Sequence, residues 1–114
     1  MNLILNSDSY KYSHFLQYPP ETATISAYAE ARRGGPYENV LFFGLQMFLK
    51  EYLSGRVTME DVEEADELIT AHGLPFNRKG WETLVERHGG KLPLLIEALP
   101  EGQIVPVGTP LIQV

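Results

Sequence analysis

The sequence has no cysteine, which excludes a disulfide framework, a thiolate metal site and a cysteine nucleophile, and is compatible with the cytosol. Histidine is scarce: His14, His72 and His88 stand far apart and match no ligand spacing, so metal binding by this chain alone is not expected. Nine basic residues against fifteen acidic ones leave a net charge of −6. That balance excludes a general nucleic-acid surface, which needs a dense basic stripe, and confines any anion site to a local cluster. No apolar run approaches the roughly 20 residues of a membrane span. The start, Met1-Asn2-Leu3-Ile4-Leu5-Asn6, lacks the basic region and long apolar core of a signal peptide. Repeats and low-complexity tracts are absent too. The expectation is a soluble cytoplasmic protein with no nucleic-acid and no membrane partner. Its 114 residues, 44% of them hydrophobic, suit a single domain over 1–114 with a real core.

The chemistry that is present concentrates near the start. Asp8-Ser9-Tyr10-Lys11-Tyr12-Ser13-His14-Phe15-Leu16-Gln17-Tyr18-Pro19-Pro20 crowds carboxylate, phenol, ammonium and imidazole groups into a segment too polar for a core. The pattern predicts a strand or extended lead-in at Leu3, Ile4 and Leu5, one or two helical turns capped by Ser7 or Asp8, and a stop at the two prolines. Asp8 and Tyr10 then fall near a helix N-terminus, where free N–H groups favour anions. A capped surface helix with half-buried tyrosines reads equally from the same residues.

Farther along, Thr22 to Ala31 alternates, with Ala23, Ile25, Ala27, Ala29 and Ala31 on one face, which is strand periodicity ended by Arg33-Gly34-Gly35-Pro36. Asn39 is placed to cap a core helix over about 40–54, closed by Gly55. Thr58-Met59-Glu60-Asp61 resembles a capping box and opens a helix to about His72, closed by Gly73, with Val62, Ala65 and Ile69 as its apolar stripe. The six acids between Glu60 and Glu67 read as a solvated face. Asn77 caps a second short helix carrying Trp81, Leu84 and Val85, and Trp81 reads as a core anchor. Strands are predicted at 92–99, 103–107 and 111–114, with turns at Pro100-Glu101-Gly102 and Gly108-Thr109-Pro110. The fold class is α+β: a mixed sheet from the 22–31 and 92–114 strands, covered by the 40–54 helix and flanked by the 58–88 helices. Because the pattern stops within a strand, the expectation is a fragment of a longer protein.

Taken in order, Asp8-Ser9-Tyr10-Lys11, His14, Gln17-Tyr18-Pro19-Pro20, Phe43-Gly44-Leu45-Gln46, Phe76-Asn77, Lys79-Gly80-Trp81, Leu92-Pro93 and Pro100-Glu101-Gly102 resemble the N-terminal region of the nicotinamide phosphoribosyltransferase family. No one of these motifs is specific, but together they run nearly the whole chain. The resemblance implies a type II phosphoribosyltransferase, a homodimer that joins nicotinamide to 5-phosphoribosyl 1-pyrophosphate with release of pyrophosphate. It places Asp8 and Tyr10 in the active site of the neighbouring subunit, with Tyr10 stacking on nicotinamide, and it places Arg32 on phosphoryl groups. Adjacent Arg33 substitutes or assists. The forked guanidinium suits pyrophosphate better than an ammonium does. The resemblance puts the catalytic barrel beyond Val114, so this segment supplies substrate-binding residues, no catalytic residue and no cofactor of its own. Mg2+ accompanies the phosphoribosyl pyrophosphate in the full enzyme. The segment after Arg32 is short and Gly-rich where vertebrate relatives carry a longer charged insertion.

Other readings stay open. Glu101 to Leu111 resembles the E-G-x-x-V-x-x-G-x-x-L rhythm of biotinyl and lipoyl domains, but no lysine follows on a hairpin tip to carry the cofactor. A non-catalytic dimerisation or binding module is another alternative, and so is a relative that uses nicotinic acid, since the residues choosing amide over acid lie outside this segment.

Overall fold

Local capping signals build the first of the structure's compact units. A computed structural model describes the whole chain, Met1–Val114, as a 3-10 helix, three α-helices, one π-helical segment and five short strands. Contacts divide it into two units, Met1–Thr22 with Glu51–Pro93 and Ala23–Lys50 with Leu94–Val114.

In the first unit, the Thr58 hydroxyl accepts from Asp61 N at 3.2 Å while Asp61 Oδ2 accepts from Thr58 N at 2.8 Å. This reciprocal box satisfies two donors that a helix start leaves orphaned, and it opens α2, Met59–Ala71. Thr58→Ala is expected to cost about 1 kcal/mol of stability, the usual worth of such a cap, read from urea unfolding. Gly73, at φ +79°, ends the run. Asn77 Oδ1 accepts from Gly80 N at 3.1 Å and opens α3, Arg78–His88.

The apolar stripe of α2, Val62, Ala65 and Ile69, is buried against Ile4, Val57 and Leu84. Leu3, Leu5, Tyr12, Phe76, Trp81 and Leu92 pack around that cluster. Trp81 is the expected core anchor, half-buried at the cluster's edge. The lead-in at Leu3 to Leu5 is a turn instead of a strand: Leu5 N donates to Asn2 O and Asn6 N to Leu3 O, both at 3.2 Å. Ile4 is 3% exposed, and its burial, with the Asn2 side-chain amide donating to Asp61 O at 2.8 Å, holds the segment without a strand partner.

Arg78 joins the two helices. Its guanidinium donates to Asp66 at 2.8 Å and to Glu82 at 2.7 Å, and its charge and hydrogen bond hold the Asp66 carboxyl below the usual carboxylate range. A carboxyl depressed by folding stabilises the fold above its unfolded pKa and loses that contribution as pH falls through the folded value. Asp66→Asn is therefore expected to be less stable than the parent at neutral pH, with the gap closing in acid. Paired thermal melts from neutral to acidic pH read it directly, and a gap that persists unchanged in acid would count against the linkage. The remaining acids of the run, Glu60, Glu63, Glu64 and Glu67, are exposed as expected.

The second unit holds two small antiparallel sheets. One has the order β1-β5-β3, from Tyr28–Glu30, Pro110–Gln113 and Glu97–Ala98; the other pairs β2, Asn39–Leu41, with β4, Ile104–Pro106. The α+β class holds, and every strand but β2 comes from an expected strand segment. The form differs, since every pair is antiparallel and no single mixed sheet exists.

Three boundaries also differ. The 22–31 strand shrinks to β1, the part that pairs with β5, and reciprocal bonds between Ala27 and Val114 at 3.0 and 2.8 Å extend the ladder beyond it. All of 21–30 is exposed, so the alternation is not matched by a buried face. The 92–99 strand shrinks to Glu97–Ala98, leaving Leu95 77% exposed. The expected 40–54 helix is displaced by β2. Helix α1, Leu45–Phe48, begins after Gly44, whose φ of +100° is open to glycine and strained for other residues, and it passes into the π-helical segment Leu49–Leu53. Asn39 pairs with Pro106 in a ladder instead of capping, and Gly55 has no positive φ. This helical stretch contains no buried residue, so it is not core; Phe42, just before it, is the buried residue of the second unit.

Candidate functional site

The polar stretch from Asp8 folds as a 3-10 helix, Ser9–Leu16. Serine, tyrosine and histidine are modest helix formers, and the Ser13 hydroxyl donates back to Tyr10 O at 3.1 Å, a local bond that competes with α-helical pairing. Lys11 N donates to Asp8 O at 3.0 Å, and Gln17 N donates to His14 O at 2.9 Å. The Tyr12 hydroxyl pins the element to the unit below by donating to Ile4 O at 3.2 Å.

Asp8 occupies the expected cap position, but its side chain caps nothing. It pairs instead with Lys11, Oδ2 to Nζ at 3.1 Å. Three residues per turn place Lys11 and His14 in line, and the ion pair draws the carboxylate of Asp8, in extended backbone just before the helix, to the head of that row. The Tyr10 ring lies beside that row. Lys11 Nζ stands 5.8 Å from the ring centroid, and the His14 ring is 5.7 Å away at a tilt of 56°. The hydrogen bond and charge of Lys11, and to a lesser degree the Tyr10 hydroxyl, hold the Asp8 carboxyl below the usual range; Asp8 in turn raises the Lys11 ammonium. Both groups are solvent-exposed, so the pair orients side chains more than it stabilises the fold.

Tyr10 is 62% exposed. A flat aromatic ring held at the surface with an ammonium and an imidazole against it offers a stacking platform. Beside the row, a cavity of about 400 Å3 is walled by Ile4, Lys11, Tyr12, Phe15, Phe76 and Trp81, and the Lys11 ammonium at its edge pairs with Asp8. Lys11, within the same motif but outside the expected site residues, stands next to both Asp8 and the Tyr10 ring. The i, i+3 spacing of Asp8 and Lys11 was the available signal.

Arg32 belongs to the second unit. It follows β1 at the start of a Gly-rich turn, is exposed, and makes no ion pair within the chain. Arg33 is engaged: its guanidinium lies over Gly108, where a Cβ would come within 2.6 Å of Nε. Gly108 N donates to Ala31 O at 2.9 Å, which ties the turn between β4 and β5 to the end of β1. The stretch Glu101 to Leu111 does read strand, turn, strand, but β4 and β5 go to different sheets and form no hairpin together. No group of three histidine or carboxylate side chains gathers in metal-binding geometry.

A family model described as "Nicotinamide phosphoribosyltransferase, N-terminal domain" matches residues 2–96. A nicotinamide phosphoribosyltransferase of Xanthomonas campestris pv. campestris (strain 8004) is 53% identical over 105 residues, which cover 92% of this chain and 22% of that protein. This chain thus spans about a fifth of that relative's length. The match extends over the Asp8 to Trp81 motifs on which the resemblance rested, and from it the chain belongs to the nicotinamide phosphoribosyltransferase N-terminal domain family.

Proposed function

We propose that this chain is the substrate-facing N-terminal part of an enzyme that makes nicotinamide mononucleotide and pyrophosphate from nicotinamide and 5-phosphoribosyl 1-pyrophosphate. The exposed Tyr10 ring carries the reading, since its flat face, with Asp8 beside it, suits a neutral heteroaromatic amide better than a structural role does. In the reaction the pyridine nitrogen forms a bond to the ribose C1 as the bond from C1 to pyrophosphate breaks, and the leaving group departs with the electron pair. No nucleophile is needed from this segment. Its contribution is orientation of the ring by Tyr10 and Asp8 and neutralisation of phosphoryl charge by Arg32. Mg2+ enters as part of the phosphoribosyl pyrophosphate substrate. The enzyme works as a cytoplasmic homodimer in pyridine nucleotide salvage, with Asp8 and Tyr10 donated to the partner subunit's site, and the rest of that site lies in sequence this chain lacks.

The test is product formation. The longer protein carrying this segment is expected to form nicotinamide mononucleotide from the two substrates, and the 114-residue chain alone is expected to form none. Product from nicotinic acid instead of nicotinamide would replace this reading with the nicotinate-using relative. Turnover by the isolated chain would refute the composite site.

Arg32 and Arg33 separate in the same assay. Loss of charge-assisted bonds to phosphate costs about 1.5–3 kcal/mol, so Arg32→Ala is expected to raise KM for phosphoribosyl pyrophosphate roughly 10-fold or more. Arg33→Ala is expected to leave that KM near the parent value and to loosen the turn at Gly108, because its guanidinium already packs there. The reverse pattern would exchange the two assignments.

A further inference from the structure

We propose that Lys11 is the positioning residue for the Tyr10 ring, clamped by Asp8 so that its ammonium stays over the ring and fixes the platform on which nicotinamide stacks. The inference rests on the stacking role given to Tyr10 above. Three observations carry it. The Lys11 ammonium is 5.8 Å from the Tyr10 centroid, inside the range of about 6 Å at which a cation is drawn to an aromatic face. The same ammonium is tied to Asp8 at 3.1 Å, one helical turn away, so it cannot swing off the ring without breaking an ion pair. Lys11 also lines the cavity that Tyr12 and Phe15 wall.

A tyrosine that is 62% exposed has little packing to choose its rotamer. An ammonium over one face supplies that choice and leaves a face for a flat partner. The hydrogen bond and charge of Asp8 raise the Lys11 ammonium above the ordinary lysine range, which favours its charged form. On this view Asp8 acts on the ring through Lys11. Asp8 precedes the 3-10 helix in extended backbone, and the ion pair brings its carboxylate to Lys11, one turn into the element and next to Tyr10.

The test uses the longer enzyme and four variants: Lys11→Met, which keeps the stem and removes the charge, Lys11→Arg, which keeps a cation, Tyr10→Ala, and the Lys11→Met, Tyr10→Ala double. Lys11→Met is expected to raise KM for nicotinamide about 2- to 5-fold, the worth of an exposed cation–ring contact, without change in kcat or in KM for phosphoribosyl pyrophosphate. Lys11→Arg should restore the parent value. In the Tyr10→Ala background Lys11→Met should add nothing, because the ring it positions is gone. Thermal melts should stay unchanged, as expected for an exposed ion pair. An unchanged nicotinamide KM in Lys11→Met, with a raised one in Tyr10→Ala, overturns the positioning role and leaves the stacking role standing. Equal losses from Lys11→Met in both backgrounds also overturn it. An unchanged nicotinamide KM in Tyr10→Ala itself removes the stacking role, and the positioning role falls with it.

Discussion

Gly90→Ala is expected to destabilise the first unit by about 2–5 kcal/mol, combining the cost of a left-handed conformation with that of a steric clash. Gly90 follows α3 with φ +75°. Its N–H donates to Leu84 O at 3.1 Å, and its carbonyl accepts from Val57 N at 2.9 Å, so both backbone groups are committed. A Cβ added there would run into the Val57 carbonyl. That obstacle is backbone, so relief requires moving Val57, itself 3% exposed in the core with Val62 and Leu84. Against a total stability of about 5–15 kcal/mol for an ordinary domain, such a loss is large. Gly55→Ala is the control, having no positive φ and open space where its Cβ would go. It is expected to stay within about 0.5 kcal/mol of the parent. Urea unfolding of both variants decides the matter: equal midpoints would show that the approach at Gly90 relaxes at no cost.

Tyr10→Ala in the longer enzyme is expected to weaken nicotinamide binding about 5- to 30-fold, the equivalent of roughly 1–2 kcal/mol. Tyr10→Phe keeps the stacking face and should change affinity modestly. The ring is exposed, so truncation removes little from the core, and melting temperatures of the two variants should match the parent. The proposed donation of Tyr10 to a partner subunit's site adds a second readout. In mixed dimers, a Tyr10→Ala subunit paired with one disabled in its own barrel should retain activity or lose it according to which site keeps both intact halves. A purely structural Tyr10 predicts the opposite pattern, lowered melting points with unchanged kinetics of the folded enzyme, and that result would end the assignment.

How far the site could be read in advance follows from what each feature depends on. The chemistry of Asp8, Tyr10 and Arg32 was legible because it resides in residue types and their order. The clamp by Lys11 was legible only in part: the i, i+3 spacing of Asp8 and Lys11 is in the sequence, but the approach of the ammonium to the Tyr10 ring depends on side-chain placement that residue order does not state. Arg32 and Arg33 were indistinguishable in sequence. They differ only because the turn that carries Gly108 comes to lie against one of them.

The same division runs through the fold. Sequence by itself determined α2 and α3, because Thr58 with Asp61, Asn77 with Gly80, and the closing glycines Gly73 and Gly89 act within a few residues of each other. It also determined the turns at Gly102 and Gly108, where positive φ selects glycine. Tertiary structure decided what became of 22–31, 39–53 and 92–99. A strand exists only where a partner supplies hydrogen bonds, so Asn39 to Leu41 left the expected helix to pair with Ile104 to Pro106, and within 22–31 the strand is the part that pairs with Pro110 to Gln113. Alternation and helical spacing state which face a segment would bury, but the partner that supplies the ladder comes from far away in sequence, and local pattern carries no record of it.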